Sequence, residues 1–282
     1  MKILKTIQEM SVFSKKARRD GKSIGLVPTM GFLHEGHLSL VKSALLSVDL
    51  TVVSIFINPA QFGKNEDLDK YPRNMDKDLA LLKEAGVDVV FAPEASEMYP
   101  GGFITFVTPQ GGLEDVLEGE IRPGHFRGVA TVVAKLFNIT EPDKAFFGQK
   151  DAQQCLIIKK LAHDLNFSAE IVILPTVRET DGLAKSSRNS YLDAKERKAA
   201  PAIFKALQMA QHMIELGEND PSVVTAEIRK MIGRTKLLDL EYAVITDPET
   251  LHPVDSIGGR ALALIAAKVG TTRLIDNIMI ER

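Results

Sequence analysis

Pro28-Thr29-Met30-Gly31-Phe32-Leu33-His34-Glu35-Gly36-His37 joins an apolar run to an amphipathic one, and that junction decides the fold. Upstream, Ile24, Leu26 and Val27 make a short buried-strand pattern; downstream, Leu38, Val41, Ala44, Leu45 and Val48 recur at helical spacing. The histidines therefore stand where a strand hands over to a helix. Backbone N–H groups at a helix start are unpaired and carry roughly half a positive charge, so an anion placed there is stabilised before any side chain acts. Two imidazoles at that point add donors that can be neutral or charged near pH 7. Phosphate is the anion this arrangement suits best.

A metal site is the competing reading. Zinc needs three or four ligands, and the metalloprotease pattern sets His at i and i+4 with Glu directly after the first. Glu35 does follow His34, but the second histidine comes at i+3, and Cys155 is the only cysteine able to complete a site. A pair kept for purely structural reasons is the other alternative.

Outward from this stretch, strand-like and helical runs alternate. A strand over 50–57, a helix over 75–85 stopped by Gly86, and a strand over 87–92 closed by Pro93 are predicted. Residues 93–128, rich in Gly and Pro, read as loops around short strands such as 103–107. A helix over 129–139, a strand over 145–147, a helix over 152–165 and a strand over 171–174 follow. Strand, helix, strand in repetition means a doubly wound α/β unit, a parallel sheet with helices on both faces, whose ligands bind at the carboxyl ends of the strands. After Thr176 the pattern changes to a long helix over 194–216, another over 223–232, and strands over 240–245, 261–267 and 272–278. The expected division is 1–176 and a smaller α+β unit, 177–282.

Composition sets outer limits. The 282 residues are 45% hydrophobic and 26% charged, ordinary for a globular chain with a sizeable core. Lys plus Arg number 35 against 37 Asp plus Glu, so no overall field draws the protein to nucleic acid or an anionic membrane, although a local basic cluster suffices for a small anion. One cysteine excludes an intrachain disulfide framework and fits a reducing compartment. The N-terminal residues carry no long apolar segment, and no run reaches the roughly 18 apolar residues of a membrane span. A cytoplasmic protein with neither nucleic-acid nor membrane partners is expected.

Three further clusters carry chemistry. Asn58-Pro59-Ala60-Gln61-Phe62 ends a buried strand with two amides; neutral amides such as Gln61 can orient a carboxylate without the adjacent full charge of an arginine, leaving its oxygen more nucleophilic, although Asn-Pro also favours a plain turn. Gly148-Gln149-Lys150-Asp151 lies between a strand and a helix and repeats the anion-binding geometry, with Lys150 as a movable point charge and Asp151 either a functional acceptor or an N-cap. Of Gln153 and Gln154 on the following helix, one should face the site and one should not. Lys185-Ser186-Ser187-Arg188 is basic and hydroxyl-bearing; it is either solvated surface or a flexible segment that closes over phosphates. Gly124-His125-Phe126-Arg127-Gly128 is a packed turn or one more source of a cation, Arg127.

Taken together, Pro28 to Gly31 with His34-Glu35-Gly36-His37, Asn58 to Phe62, Arg122-Pro123 with Gly124 to Gly128, Gly148 to Asp151 with Gln153-Gln154, and Ser186-Ser187-Arg188-Asn189 resemble the pantothenate synthetase (pantoate-beta-alanine ligase) family over essentially the whole chain. The His-x-Gly-His core alone would mark only the broader nucleotidyltransferase superfamily. The resemblance implies a Rossmann-like fold, a homodimer, and an ATP-dependent condensation of pantoate with beta-alanine through pantoyl adenylate, magnesium accompanying the ATP. It implies an ATP site of Met30, Gly31, Phe32, Leu33, His34, Glu35, Gly36, His37, Gly148, Gln149, Lys150, Asp151, Val177, Lys185, Ser186, Ser187 and Arg188. His34, His37, Lys150 and Arg188 would be catalytic, with His37 the favoured acid. Gln61, Gln154, Asn58 and Met30 would hold pantoate, Gln61 also lying near beta-alanine. Asp69, Asp76, Asp78 and Asp151 are the acidic residues from which a magnesium ligand would come. Lys185 stands where an apolar residue is expected, and Ala152 where an aromatic is common.

Other functions fit less well. An adenylyltransferase acting on a phosphate acceptor would favour Arg or Lys over Gln61 and Gln154. An aminoacyl-tRNA synthetase would be longer and basic. A non-catalytic nucleotide-binding module would not need His37, Lys150 and Gln61 together.

Overall fold

The structure is a computed structural model and describes residues 1–64 and 66–281. Contacts divide it into two compact units: Met1–Gly148 with Gln153–Pro175, and Gln149–Ala152 with the chain from Thr176 onward.

The first unit is built on six strands, β1 (Lys2–Leu4), β2 (Ile24–Thr29), β3 (Leu50–Ile55), β4 (Val89–Phe91), β5 (Lys144–Gly148) and β6 (Glu170–Leu174), in the order β1-β4-β3-β2-β5-β6. Every pairing is parallel. Its helices are α1 (Ile7–Arg19), α2 (Glu35–Leu45), α3 (Met75–Ala85), α4 (Ala95–Met98), α5 (Glu118–Ile121), α6 (His125–Thr140) and α7 (Ala152–Asp164). Successive strand residues alternate between two apolar clusters. Leu26, Val52, Phe91 and Phe147 join Met10, Phe137 and Ile158 from α1, α6 and α7; Val27, Val53, Val90 and Phe146 join Val41 and Leu82 from α2 and α3. Period-two alternation into two different cores is what a sheet covered on both faces requires. The order reverses direction at β2 and β5, and the carboxyl ends beside such a switch are where open α/β sheets bind ligands. Met30 follows the end of β2 directly.

In the second unit, β7 (Leu238–Thr246), β8 (Ala261–Val269) and β9 (Thr272–Ile280) form an antiparallel sheet in that order. Helices α8 (Ala194–Ala199), α9 (Ala202–Glu215) and α10 (Pro221–Gly233) complete it. Its core joins Leu207 and Ile228 to Ala263 and Ile265 of the middle strand, which is buried except at Lys268.

Several elements differ from the sequence reading. The opening β1 and α1 were not anticipated, although Thr6 and Glu9 form a capping box at the start of α1. Residues 103–107 are not a strand: the Val107 N–H bonds to Thr131 Oγ1 at 3.0 Å, and Arg127 and Lys135 of α6 lie over the Phe106 and Phe103 rings. The Gly-His-Phe-Arg-Gly turn is instead the first turn of α6, entered through Gly124 at φ 82°. The expected long helix over 194–216 is two, because Pro201 has no N–H to continue the ladder, although Ala200 before it keeps helical geometry. Gln149 to Ala152, expected in the first unit, group with the second because Asn277 of β9 donates Nδ2 to the carbonyls of Gln149 (3.0 Å) and Lys150 (2.9 Å).

Candidate active site

At the end of β2 the two histidines cap α2 rather than leaving its N–H groups open. The Gly36 N–H donates to His34 Nδ1 at 3.1 Å, and the His34 N–H donates to His37 Nδ1 at 3.3 Å. The rings stack with centroids 4.0 Å apart. An imidazole nitrogen that accepts carries no proton, so each ring is neutral and has its proton on Nε2. The Gly36 N–H is therefore not one of the unpaired backbone donors expected at the helix start.

The loop before the helix is held from α3. Buried Asp78 accepts the N–H of Phe32 through Oδ2 (2.7 Å) and that of Leu33 through Oδ1 (2.8 Å). These bonds hold Phe32 in the left-handed region, at φ 52°. Gly31, at φ 83°, leaves room for the carboxylate: a Cβ there would lie 3.1 Å from Asp78 Oδ2 and from Ile55 Cγ2. Both Asp78 oxygens are therefore engaged by backbone. Among the described residues no three His, Cys, Asp or Glu side chains are grouped to hold a metal ion.

The second motif sits past β3 on a short 3-10 turn, Pro59–Gln61. Asn58 is buried with all four hydrogen-bonding positions of its amide filled: Oδ1 accepts from the Tyr99 hydroxyl (2.7 Å) and the Ala60 N–H (3.2 Å), and Nδ2 donates to Gln61 Oε1 (3.0 Å) and the Gly128 carbonyl (3.1 Å). Burial pushes the Tyr99 hydroxyl up to about 12, so it remains a donor. Asn58 thus has no capacity left for a substrate and orients Gln61. The Gln61 Nε2 lies 3.4 Å from Met30 Sδ, which joins the Asn58–Phe62 motif to the end of β2. Its amide keeps one further N–H and one lone pair for a ligand. Gly128 allows this packing, since a Cβ there would fall 2.2 Å from the Ala60 carbonyl oxygen.

On α7, Gln153 is the buried member of its pair. It donates to the Leu113 and Val116 carbonyls (2.6 and 2.9 Å) and accepts from the Glu118 N–H (3.1 Å), holding that loop, whereas Gln154 is half-buried.

The second unit carries the remaining motif residues. Lys150 Nζ lies 3.8 Å from Asp151 Oδ1, in a turn fastened by Asn277, and Gln149 Nε2 donates to Asn277 Oδ1 at 3.2 Å. The Val177 carbonyl accepts the Lys185 N–H at 2.9 Å, and Lys185 Nζ lies 3.8 Å from Glu179 Oε2. Ser186 caps a 3-10 helix, Ser187–Tyr191, accepting the Arg188 N–H at 3.3 Å. The segment expected as a flexible loop therefore has regular local structure, anchored where Arg178 forks onto buried Asp276 at 2.6 and 2.9 Å.

The model of the family described as pantoate-beta-alanine ligase matches residues 2–279. The chain belongs to the pantoate-beta-alanine ligase family. It is 51% identical over 281 residues to the pantothenate synthetase of Moorella thermoacetica, covering 100% of this chain and 99% of that one, and 52% identical to that of Roseiflexus castenholzii, covering 100% of both. The crystal structure of the pantothenate synthetase from Thermus thermophilus superposes with a TM-score of 0.94 at 42% identity, covering 99% of each chain. That of the Francisella tularensis pantoate-beta-alanine ligase, complexed with beta-gamma ATP and beta-alanine, gives 0.82 at 33%, covering 99% of this chain and 97% of that one.

For this member of the pantoate-beta-alanine ligases, the sequence reading missed the residues that hold the motifs: Asp78 as a loop clamp, Tyr99, Gln153, Asn277, and the pair Arg122 and His125. Gln153 and the last pair lay within stretches already singled out, and Asp78 had been set among the possible magnesium ligands. Apart from that pair, the holding roles carry no local signal, because each residue acts on others about 35 or more places away.

Proposed function

We propose that the protein condenses (R)-pantoate with beta-alanine to give pantothenate, AMP and pyrophosphate. A pantoate carboxylate oxygen attacks the α-phosphorus of ATP, and the bond to the bridging oxygen breaks as pyrophosphate leaves. The beta-alanine nitrogen then attacks the acyl carbon of the adenylate, loses its proton, and AMP departs. ATP itself activates the carboxylate, so the residues have only to position the reactants and stabilise charge. The observation that carries this reading is the Gln61 amide, fixed by Asn58 and beside Met30, in a chain of this family. A neutral amide suits a carboxylate that must remain nucleophilic.

In this reading Gln61, Gln154 and Met30 bind pantoate, with Asn58 setting the Gln61 orientation. The Nε2–H groups of His34 and His37 stabilise the charge that grows on the phosphates. To act as an acid, His37 would first have to take a proton at Nδ1 and release the His34 N–H, so we assign it hydrogen-bond donation in the resting arrangement. Lys150 and Arg188 add cationic stabilisation; Gly31 to Gly36, Gly148, Gln149, Asp151, Val177, Lys185, Ser186 and Ser187 complete the nucleotide contacts. Magnesium enters on the triphosphate as part of the substrate, as it does where few dedicated ligands exist. We further propose a cytoplasmic homodimer; among the described residues no helix is long and apolar enough to cross a membrane.

The test is AMP release with pantoate, beta-alanine and magnesium-ATP supplied together and singly omitted. Stoichiometric AMP and pantothenate only in the complete mixture supports the reading. AMP release that ignores pantoate overturns it.

A further inference from the structure

Buried His125 and the partly buried Arg122 and Glu66 form a chain that ends on the backbone of Gln61. Arg122 forks onto Glu66, with Nε at 3.1 Å from both carboxylate oxygens and Nη2 at 2.6 Å from Oε2. Its Nη1 lies 3.0 Å from His125 Nε2, and His125 Nδ1 lies 2.8 Å from the Gln61 carbonyl oxygen. The polarity of each link is forced. A guanidinium can only donate, so Nε2 holds a lone pair; a carbonyl can only accept, so Nδ1 holds the proton.

The ring is therefore neutral, in the opposite tautomer to His34 and His37. Burial first, and then the Arg122 charge, push His125 down to about 4, which agrees with that assignment. Burial alone would raise the Glu66 carboxyl, but the Arg122 hydrogen bonds and charge, with a backbone bond from Gly63, outweigh it and hold it below its ordinary range. The Arg122 charge is thus balanced inside the chain, and what reaches the Gln61 carbonyl is the oriented His125 N–H at 2.8 Å, with Arg122 Nη2 at the outer limit of hydrogen bonding, 3.5 Å.

We propose that His125 is a positioning residue for pantoate, acting through Gln61, with Arg122 as the group that sets its tautomer. Gln61 is gripped at both ends: Asn58 and Met30 hold its side-chain amide, and His125 holds its carbonyl, so the amide has one orientation before substrate arrives. The inference rests on the proposed role of Gln61. Preorganisation of this kind lowers the substrate concentration needed without touching the nucleotide.

Steady-state kinetics on His125→Asn and His125→Gln test it. The asparagine nitrogen falls at the place of Nδ1 and keeps the bond to Gln61; the glutamine nitrogen falls nearer Nε2 and loses it. Asn should keep the KM for pantoate within about threefold of the native value while Gln raises it about tenfold, the size of one lost hydrogen bond. The KM for ATP should change less than about twofold in both. Combining His125→Gln with Gln61→Ala should be no worse than Gln61→Ala alone. Equal effects of Asn and Gln, parallel shifts in both KM values, or a multiplied defect in the double variant would overturn the inference. Failure of the native protein to use pantoate at all would instead remove the parent reading, whatever the variants do.

Discussion

The N–H of His34 donates to Nδ1 of His37 at 3.3 Å, so the two histidines of the motif are coupled through the backbone as well as through their stacked rings. With Gly36 donating to His34 Nδ1 as well, both imidazoles are committed to capping on one nitrogen and carry their proton on the other. The expected outcome is that nitrogen chemical shifts of the free protein at neutral pH place the proton on Nε2 in His34 and His37 and on Nδ1 in His125. An Nδ1–H tautomer at either capping histidine would contradict the assignment.

Asp78 should matter to folding more than its distance from the chemistry suggests. Asp78→Ala removes the carboxylate that accepts the N–H groups of Phe32 and Leu33 and releases a residue held at φ 52°. A loss of about 3 kcal/mol in urea unfolding is expected, the range for charged hydrogen bonds. A change under about 0.5 kcal/mol would show that the clamp contributes nothing.

Acid should weaken the first unit through His125. Its folded value, about 4, lies below the ordinary 6.5, so the unfolded chain binds the extra proton first. The contribution is complete above pH 6.5 or so and is lost as the pH falls towards 4, amounting to at most about 3 kcal/mol. Glu66, also held down, acts in the same direction at lower pH. Unfolding curves across that window should be shallower in pH for His125→Asn, and an unchanged slope would contradict the buried neutral ring.

Gly128→Ala places a methyl group 2.2 Å from the Ala60 carbonyl oxygen and 2.5 Å from the Gln61 N. Overpacking of this kind costs about 1–3 kcal/mol. Because the displaced atoms belong to the turn that carries Gln61, the KM for pantoate should rise about tenfold or more. Native-like kinetics would mean that the turn can shift freely.

The strand runs 24–27 and 50–55 were legible because their side chains alternate between two cores and leave no polar face. The motif order was legible for the same reason that the chemistry is: Gln61, Lys150 and the histidines sit at strand ends, where a local pattern suffices. What was not legible depends on distance along the chain. Tyr99 reaches Asn58 across 41 residues and Asp78 reaches Phe32 across 46, and neither carries any mark of its partner. Nor could the pattern show that His125 lies inside a helix rather than a turn, since Gly124 and Gly128 suggest a turn until close packing against Ala60 explains the second of them. Pro201, in contrast, was a readable break that the strong apolar periodicity around it obscured.

The central claim is a pantoyl adenylate formed before beta-alanine takes part. It is tested most directly by exchange of labelled pyrophosphate into ATP with magnesium and pantoate present and beta-alanine absent. The account predicts rapid exchange that depends on pantoate and is strongly reduced in His37→Ala while the fold remains intact. No exchange at saturating ATP and pantoate, or exchange that begins only when beta-alanine is added, would contradict it.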